Sequence, residues 1–134
     1  MIAFDTNILV RIAANDDPAQ VAIARGLMHG HTVLIPRAVL LETEWVLRAR
    51  YKQPRGVLAA FFTALLKAEN VMVEGAEQVE AALEWYRLGA DFADALHLAA
   101  CGNALMHTFD RGFCKAARDA GSTPEFRVLG LQQD

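Results

Sequence analysis

Asp5, Glu42, Asp94 and Asp110 come from four separate segments, and none is easily explained as surface decoration. Asp5 ends the apolar opening Met1-Ile2-Ala3-Phe4, and Asp110 ends the run from Ala104 through Phe109, so both read as residues at the carboxyl end of a strand. Open α/β sheets place their ligands there. Glu42 and Asp94 sit in helix-like stretches rich in Ala and Leu, where an ionised carboxylate is costly to desolvate without a partner or a cation. Carboxylates gathered at one sheet edge, with no Cys or His ligand set, suit a hard divalent cation, Mg²⁺ or Mn²⁺. Such an ion orients and activates a water for attack on a phosphodiester and offsets the charge that develops on the phosphorus oxygens and leaving group. Without it, the acids repel one another and phosphate.

Each acid also has a plainer reading. Asp5 and Asp110 each precede a helix-like segment and fit an N-cap, accepting hydrogen bonds from its first amides. In Gly89-Ala90-Asp91-Phe92-Ala93-Asp94, Asp91 fits an N-cap with Asp94 at N3, favoured by the helix dipole. Their i, i+3 spacing puts both on one face, within reach of one cation or its waters. Asp94 is the harder to explain, because Ala95-Leu96-His97-Leu98-Ala99-Ala100 reads as a buried helix. His97 shares that face and is expected to be a packed, hydrogen-bonded core histidine rather than a ligand in an oxygen site. The neighbours of Glu42 at three and four positions are Ala38, Val39, Trp45 and Val46, all apolar. A Glu on that stripe is neutralised, paired with a distant cation, or bound to a metal. Glu44 has Arg48 at i+4, the favourable order for an ion pair, and reads as structural. Thr108 and Asp110 alternate on a strand and are expected to face one cleft.

The elements that must position these residues alternate strand and helix. Residues 1–5 read as a strand, Thr6–Ala13 as a short helix, and Asp16-Asp17-Pro18 as the start of another, with Pro at a favoured first-turn position. Thr32–Ile35 is the next strand. Pro36 introduces a helix to Tyr51, and Pro54 opens another to Glu69. Val71–Val73 is a strand, Ala76–Leu88 and Asp91–Asn103 are helices, 104–109 a strand, Arg111–Ala120 a helix and Phe126–Leu129 a last strand. The alternation predicts an α/β fold with a mainly parallel central sheet covered by helices. With no linker, repeat or low-complexity stretch, residues 1–134 read as a single domain.

A hydrophobic content of 54% with 22% charged residues fits a compact domain and excludes extensive disorder. The longest apolar run, Val57–Leu66, contains Thr63 and falls short of the ~20 residues of a spanning helix. Asp5, Asn7 and Arg11 break up the opening, unlike a secretory signal, so cytoplasmic residence and no membrane association are expected. Cys101 and Cys114 lack any CxxC or framework spacing and read as buried thiols. His29-Gly30-His31 has no partner pair at zinc-finger spacing. The net charge of −3 exerts no overall pull toward nucleic acid, but acids clustered in a site would mask a basic rim. Its densest stretch is Arg48, Arg50, Lys52 and Arg55, with Tyr51 among them. These residues either hold phosphates or simply favour a helix C-terminus. Glu77, Glu80 and Glu84 lie at helical spacing and read as a solvated face. Trp45 and Phe61-Phe62 offer apolar surface, read chiefly as core packing.

Ile2-Ala3-Phe4-Asp5-Thr6-Asn7, Leu40-Leu41-Glu42-Thr43-Glu44-Trp45-Val46-Leu47, Asp91-Phe92-Ala93-Asp94-Ala95-Leu96 and Thr108-Phe109-Asp110-Arg111, in this order and spacing, resemble PIN-domain ribonucleases. Within that family the chain is similar to the VapC-like toxins of bacterial toxin–antitoxin pairs. The resemblance runs nearly end to end and implies a PIN-like α/β/α sandwich. It also implies that Asp5, Glu42, Asp94 and Asp110 form an acidic quartet binding Mg²⁺ or Mn²⁺ and activating the hydrolytic water, with Asp91 as a further metal-site acid present in many relatives. Thr6, Asn7 and Thr108 match supporting residues that hydrogen-bond to the carboxylates. The implied activity is an endoribonuclease cutting single-stranded or looped RNA and leaving a 5′-phosphate. Arg48, Arg50, Lys52 and Arg111 are the candidate RNA contacts. A small cognate antitoxin protein and a homodimer are the implied partners. Two other readings stand beside this one: a PIN-like module that binds RNA or protein without cutting, and a phosphate-accepting Asp domain. The opening Asp-Thr-Asn lacks the paired or alternating acids of the last.

Overall fold

The computed structural model describes residues 1–130. In chain order the elements are β1 (Ile2–Ala3), α1 (Thr6–Ala14), α2 (Pro18–Gly30), β2 (Val33–Ile35), α3 (Arg37–Ala49) and α4 (Arg55–Lys67). They continue with β3 (Val71–Val73), α5 (Ala76–Arg87), α6 (Phe92–Ala99), β4 (Met106–Thr108), α7 (Lys115–Asp119) and β5 (Phe126–Val128). Every strand pairing is parallel, as helices between successive strands require. Ile2 pairs with Val33 and Val33 with Val71, giving a sheet of order β1-β2-β3, while β4 and β5 pair Met106 with Phe126 in a separate two-stranded ladder. The fold is therefore α/β with parallel strands, as expected, its described strands lying in two hydrogen-bonded groups.

The element order follows the sequence closely, and the differences lie at ends. α6 stops at Ala99 instead of Asn103, because the chain turns over Gly102 at φ 58°, a conformation that favours glycine. α7 starts at Lys115 instead of Arg111. The amide of Gly112 is taken by the Asp110 carboxylate, and Cys114 has φ 47°, so residues 111–114 are turns.

The core is built around rings. Phe92 stacks on Phe62 with centroids 5.3 Å apart and 3° between planes, and meets Tyr86 edge-on at 5.2 Å. The guanidinium of Arg55 lies 4.4 Å over the other aromatic of this group, Tyr86, and donates to the Tyr86 carbonyl at 2.8 Å and to that of Ala90. Arg55 is thus spent on tying the start of α4 to the α5–α6 connection.

α3 buries Leu40, Thr43, Glu44 and Leu47, one stripe at helical spacing. This corrects the sequence reading of Glu42. Glu42 is exposed, because Ala38 and Trp45 beside it also face solvent. Glu44 is the buried one, only 2% exposed, and its carboxylate accepts from Arg48 Nε at 2.8 Å and from the Tyr86 hydroxyl at 3.0 Å. The Glu44–Arg48 pair forms as its spacing predicts. Burial and the adjacent carboxylate push the Tyr86 hydroxyl well above the usual phenol range.

Thr43 Oγ1 on the same stripe is buried with no hydrogen-bond partner among the described residues. Leaving such a group unpaired costs about 1–3 kcal/mol. Thr43→Val keeps the shape and removes the hydroxyl, so the variant should be more stable by about 1 kcal/mol. A lower urea midpoint for the variant would refute this.

Candidate functional site

Asp5 follows β1, Thr108 ends β4 and Asp110 follows it, so both acids leave the carboxyl ends of parallel strands. Asp5 caps α1, its Oδ1 accepting from the Ile8 amide at 3.3 Å, and is exposed. The next residue, Thr6, is buried and donates its hydroxyl to Glu42 Oε1, joining α1 to α3 directly beside Asp5. Asn7 is exposed and makes part of the wall of a cleft of about 310 Å³ between α1 and α2, with Asp5, Ile8, Arg11, Ile23 and Leu27. The far side of that cleft was not legible in the sequence. Arg11 is braced by Asp16 at 2.8 Å, across a left-handed Asn15 that no periodicity announces, and by the Tyr51 hydroxyl at 3.1 Å.

The other acids gather at the start of α6. Asp91 caps that helix, accepting from the Asp94 amide at 3.1 Å. Asp94 is half-buried, and its carboxyl is pushed above the ordinary aspartate range, first by burial and then by Asp91 and Asp110. Asp110 Oδ1 accepts from the Gly112 amide at 2.8 Å, and its own amide donates to Thr108 Oγ1 at 3.0 Å. Thr108 therefore supports the backbone at Asp110 rather than its carboxylate. Beneath the three acids lies the buried Cys114, whose thiol is pushed up to about 12 by burial and by Asp94, Asp91 and Asp110. Cys101 is half-buried, and both cysteines are free.

α3 links the two halves, packing against α1 on one side and α6 on the other. Its Arg48 is held by Glu44 and also feels the charge of Asp91. Thr6 and Glu42 are joined by a hydrogen bond, and Asp94 feels the charges of Asp91 and Asp110. Among the described residues, however, no three acid, His or Cys side chains are drawn into a closed coordination shell. The donor set still fits a hard cation. It is made of oxygens, and Mg²⁺ keeps several of its waters and needs only one or two carboxylates directly.

Two sequence expectations are corrected here. His97 is exposed, because the buried face of α6 carries Phe92, Ala95, Leu96 and Leu98; its effect on Asp94 is only to lower that carboxyl slightly against the larger upward causes. Trp45 is 49% exposed instead of packed in the core, whereas Phe62 is buried and Phe61 half-buried. Among the candidate RNA contacts, Arg48 is 44% exposed but committed to Glu44; Arg50, Lys52 and Arg111 are exposed. Glu77, Glu80 and Glu84 form the solvated face expected of them.

Among the described residues no helix is long and apolar enough to cross a membrane. No curated protein matches the chain. The PIN domain family, whose members are generally nucleases, matches residues 2–119, a span that takes in every acid described above. The chain belongs to the PIN domain family.

Proposed function

We propose that this protein is a Mg²⁺- or Mn²⁺-dependent endoribonuclease, and that it is the toxin of a toxin–antitoxin pair, held inactive by a small cognate antitoxin and acting as a homodimer in the cytoplasm. The observation that carries the nuclease reading is the half-buried Asp94, whose carboxyl is raised by burial and by the nearby charges of Asp91 and Asp110, in a PIN domain. Asp94, Asp110 and Asp5 would hold the cation, with Asp91 and Glu42 contributing directly or through its waters. Bound there, it supplies Lewis-acid activation of water and charge compensation at the phosphate. The chain's own residues do the rest. Thr6 fixes Glu42, the Gly112 amide fixes one oxygen of Asp110, and the Asp94 amide fixes one of Asp91.

The test is cleavage of total bacterial RNA by the purified protein with Mg²⁺ or Mn²⁺, mapped by 5′-end sequencing. Discrete cuts bearing 5′-phosphates are expected, absent with a chelator and absent in Asp5→Asn. The open coordination shell favours one other reading, a PIN-like module that binds RNA or protein without cutting. Absence of any cut from inhibitor-free protein, with RNA still bound, would establish it. Co-purification of a small protein encoded beside this one, with loss of cleavage in the complex, is the expected result for the antitoxin.

A further inference from the structure

The chain has two tryptophans, and their surroundings differ. Trp85 is buried, with its indole N–H donating to the Ser122 carbonyl at 3.0 Å. Trp45 stands 49% exposed on α3, with the guanidinium of Arg50 5.7 Å over its ring. It is three residues after Glu42 and so on the same helix face, about one 5 Å turn away. Arg50, over the ring, and Lys52, just past the end of α3, are exposed cations, while Arg48 is bound to Glu44. An exposed indole set among cations and one turn from a carboxylate site is matched to a ligand that is both aromatic and anionic. Cations of this kind hold phosphates, and a flat ring accepts any unpaired base on its π face.

We infer that Trp45 is a stacking platform for an unpaired base of the RNA substrate, with Arg50 and Lys52 holding the adjoining phosphates. The inference rests on the ribonuclease reading. Lys52, exposed and at φ 55°, lies in the connection that follows α3. Arg50 couples the two functions, since a cation seated on one part of the ring strengthens stacking on a polyanion's bases. The platform makes single-stranded RNA the preferred substrate, because paired bases have no free face to offer.

The test uses the full-length chain with Asp94→Asn, so that RNA is bound and not cut, and a short single-stranded oligoribonucleotide beside its duplex. Because Trp85 is buried, quenching of tryptophan fluorescence by RNA reports on Trp45. The single strand should quench and the duplex should not. Trp45→Ala should abolish the quenching and weaken single-strand binding on the order of ten-fold, with Trp45→Phe restoring most of the affinity. In the cutting-competent protein, Trp45→Ala should raise KM with little change in kcat. Unquenched fluorescence together with unchanged affinity and KM in Trp45→Ala would overturn the platform while leaving the nuclease reading intact. Loss of a bound protein partner in Trp45→Ala, with RNA affinity unchanged, would overturn it in favour of a protein-docking residue. A parent protein that neither binds nor cuts RNA would sink both.

Discussion

Asp94→Asn should lower RNA cleavage by about 10³-fold or more, the scale of several kcal/mol of metal-assisted stabilisation, while raising the melting temperature of the metal-free protein. The two effects have opposite sign because they have one cause. Burial, then Asp91 and Asp110, hold the Asp94 carboxyl above its ordinary range. A carboxyl whose folded pKa exceeds its unfolded value binds its proton more tightly in the native state, so ionising it works against the fold. The proton-linked stabilisation is complete below the ordinary aspartate value of about 4 and is lost as pH rises through the raised folded value. At neutral pH the native protein therefore carries the full repulsion, which Asn removes. The gain in Tm should be seen at pH 7 in chelator and should shrink toward nothing as the pH falls below about 4. Mg²⁺ should reverse the ranking, since an ion that binds only the folded parent stabilises it by mass action and has less hold on the variant. Thermal melts of both proteins at the two pH values, with and without Mg²⁺, decide the matter. A variant that melts lower than the parent in chelator at pH 7 would show that Asp94 is a structural cap and not a strained site residue.

The second large effect is on stability. Phe92→Ala should cost about 3–5 kcal/mol, the range for deleting a buried aromatic side chain. The ring of Phe92 is fully buried, flat against Phe62 and edge-on to Tyr86. It lies immediately after Asp91 and just before Asp94, at the point where α6 begins. The cavity would loosen the first turn of α6, so cleavage should fall along with stability. Phe92→Leu, which keeps most of the volume and loses the stacking, should sit between the two in urea midpoint and retain cleavage better than Phe92→Ala. Equal stability of Phe92→Ala and the parent would mean that α6 is held by its backbone and caps alone.

The alternation of apolar runs made the parallel sheet and its covering helices readable in the sequence, because helices between strands leave little choice of topology. What was not readable was which side of each helix meets the core. Glu42 has apolar neighbours on every side at i±3 and i±4, yet Ala38 and Trp45 are themselves at the surface, and the helix buries Glu44 one step round. His97 fails in the same way. Apolar composition tells that a helix has a buried face; the phase of that face is set by the helices packed on it, and for α3 these are α1, α4 and α6. The capping and site readings of Asp5, Asp91 and Asp110, by contrast, are not rivals. Each uses one carboxylate oxygen to hold a backbone amide, which fixes the direction in which the group points. Turn chemistry hid the left-handed residues Asn15, Lys52 and Cys114, none of them glycine, and with them the brace on Arg11 and the late start of α7.

The candidate site draws on segments far apart in the chain: Asp5 at the N-cap of α1 and Asp110 after β4. On the ribonuclease reading this has a meaning for how the protein is made. A ribosome synthesising it is surrounded by the polymer it would cut, and a growing chain that has emerged only through α5 lacks Asp91, Asp94 and Asp110 altogether. On that reading, activity awaits the emergence and folding of the chain through Asp110.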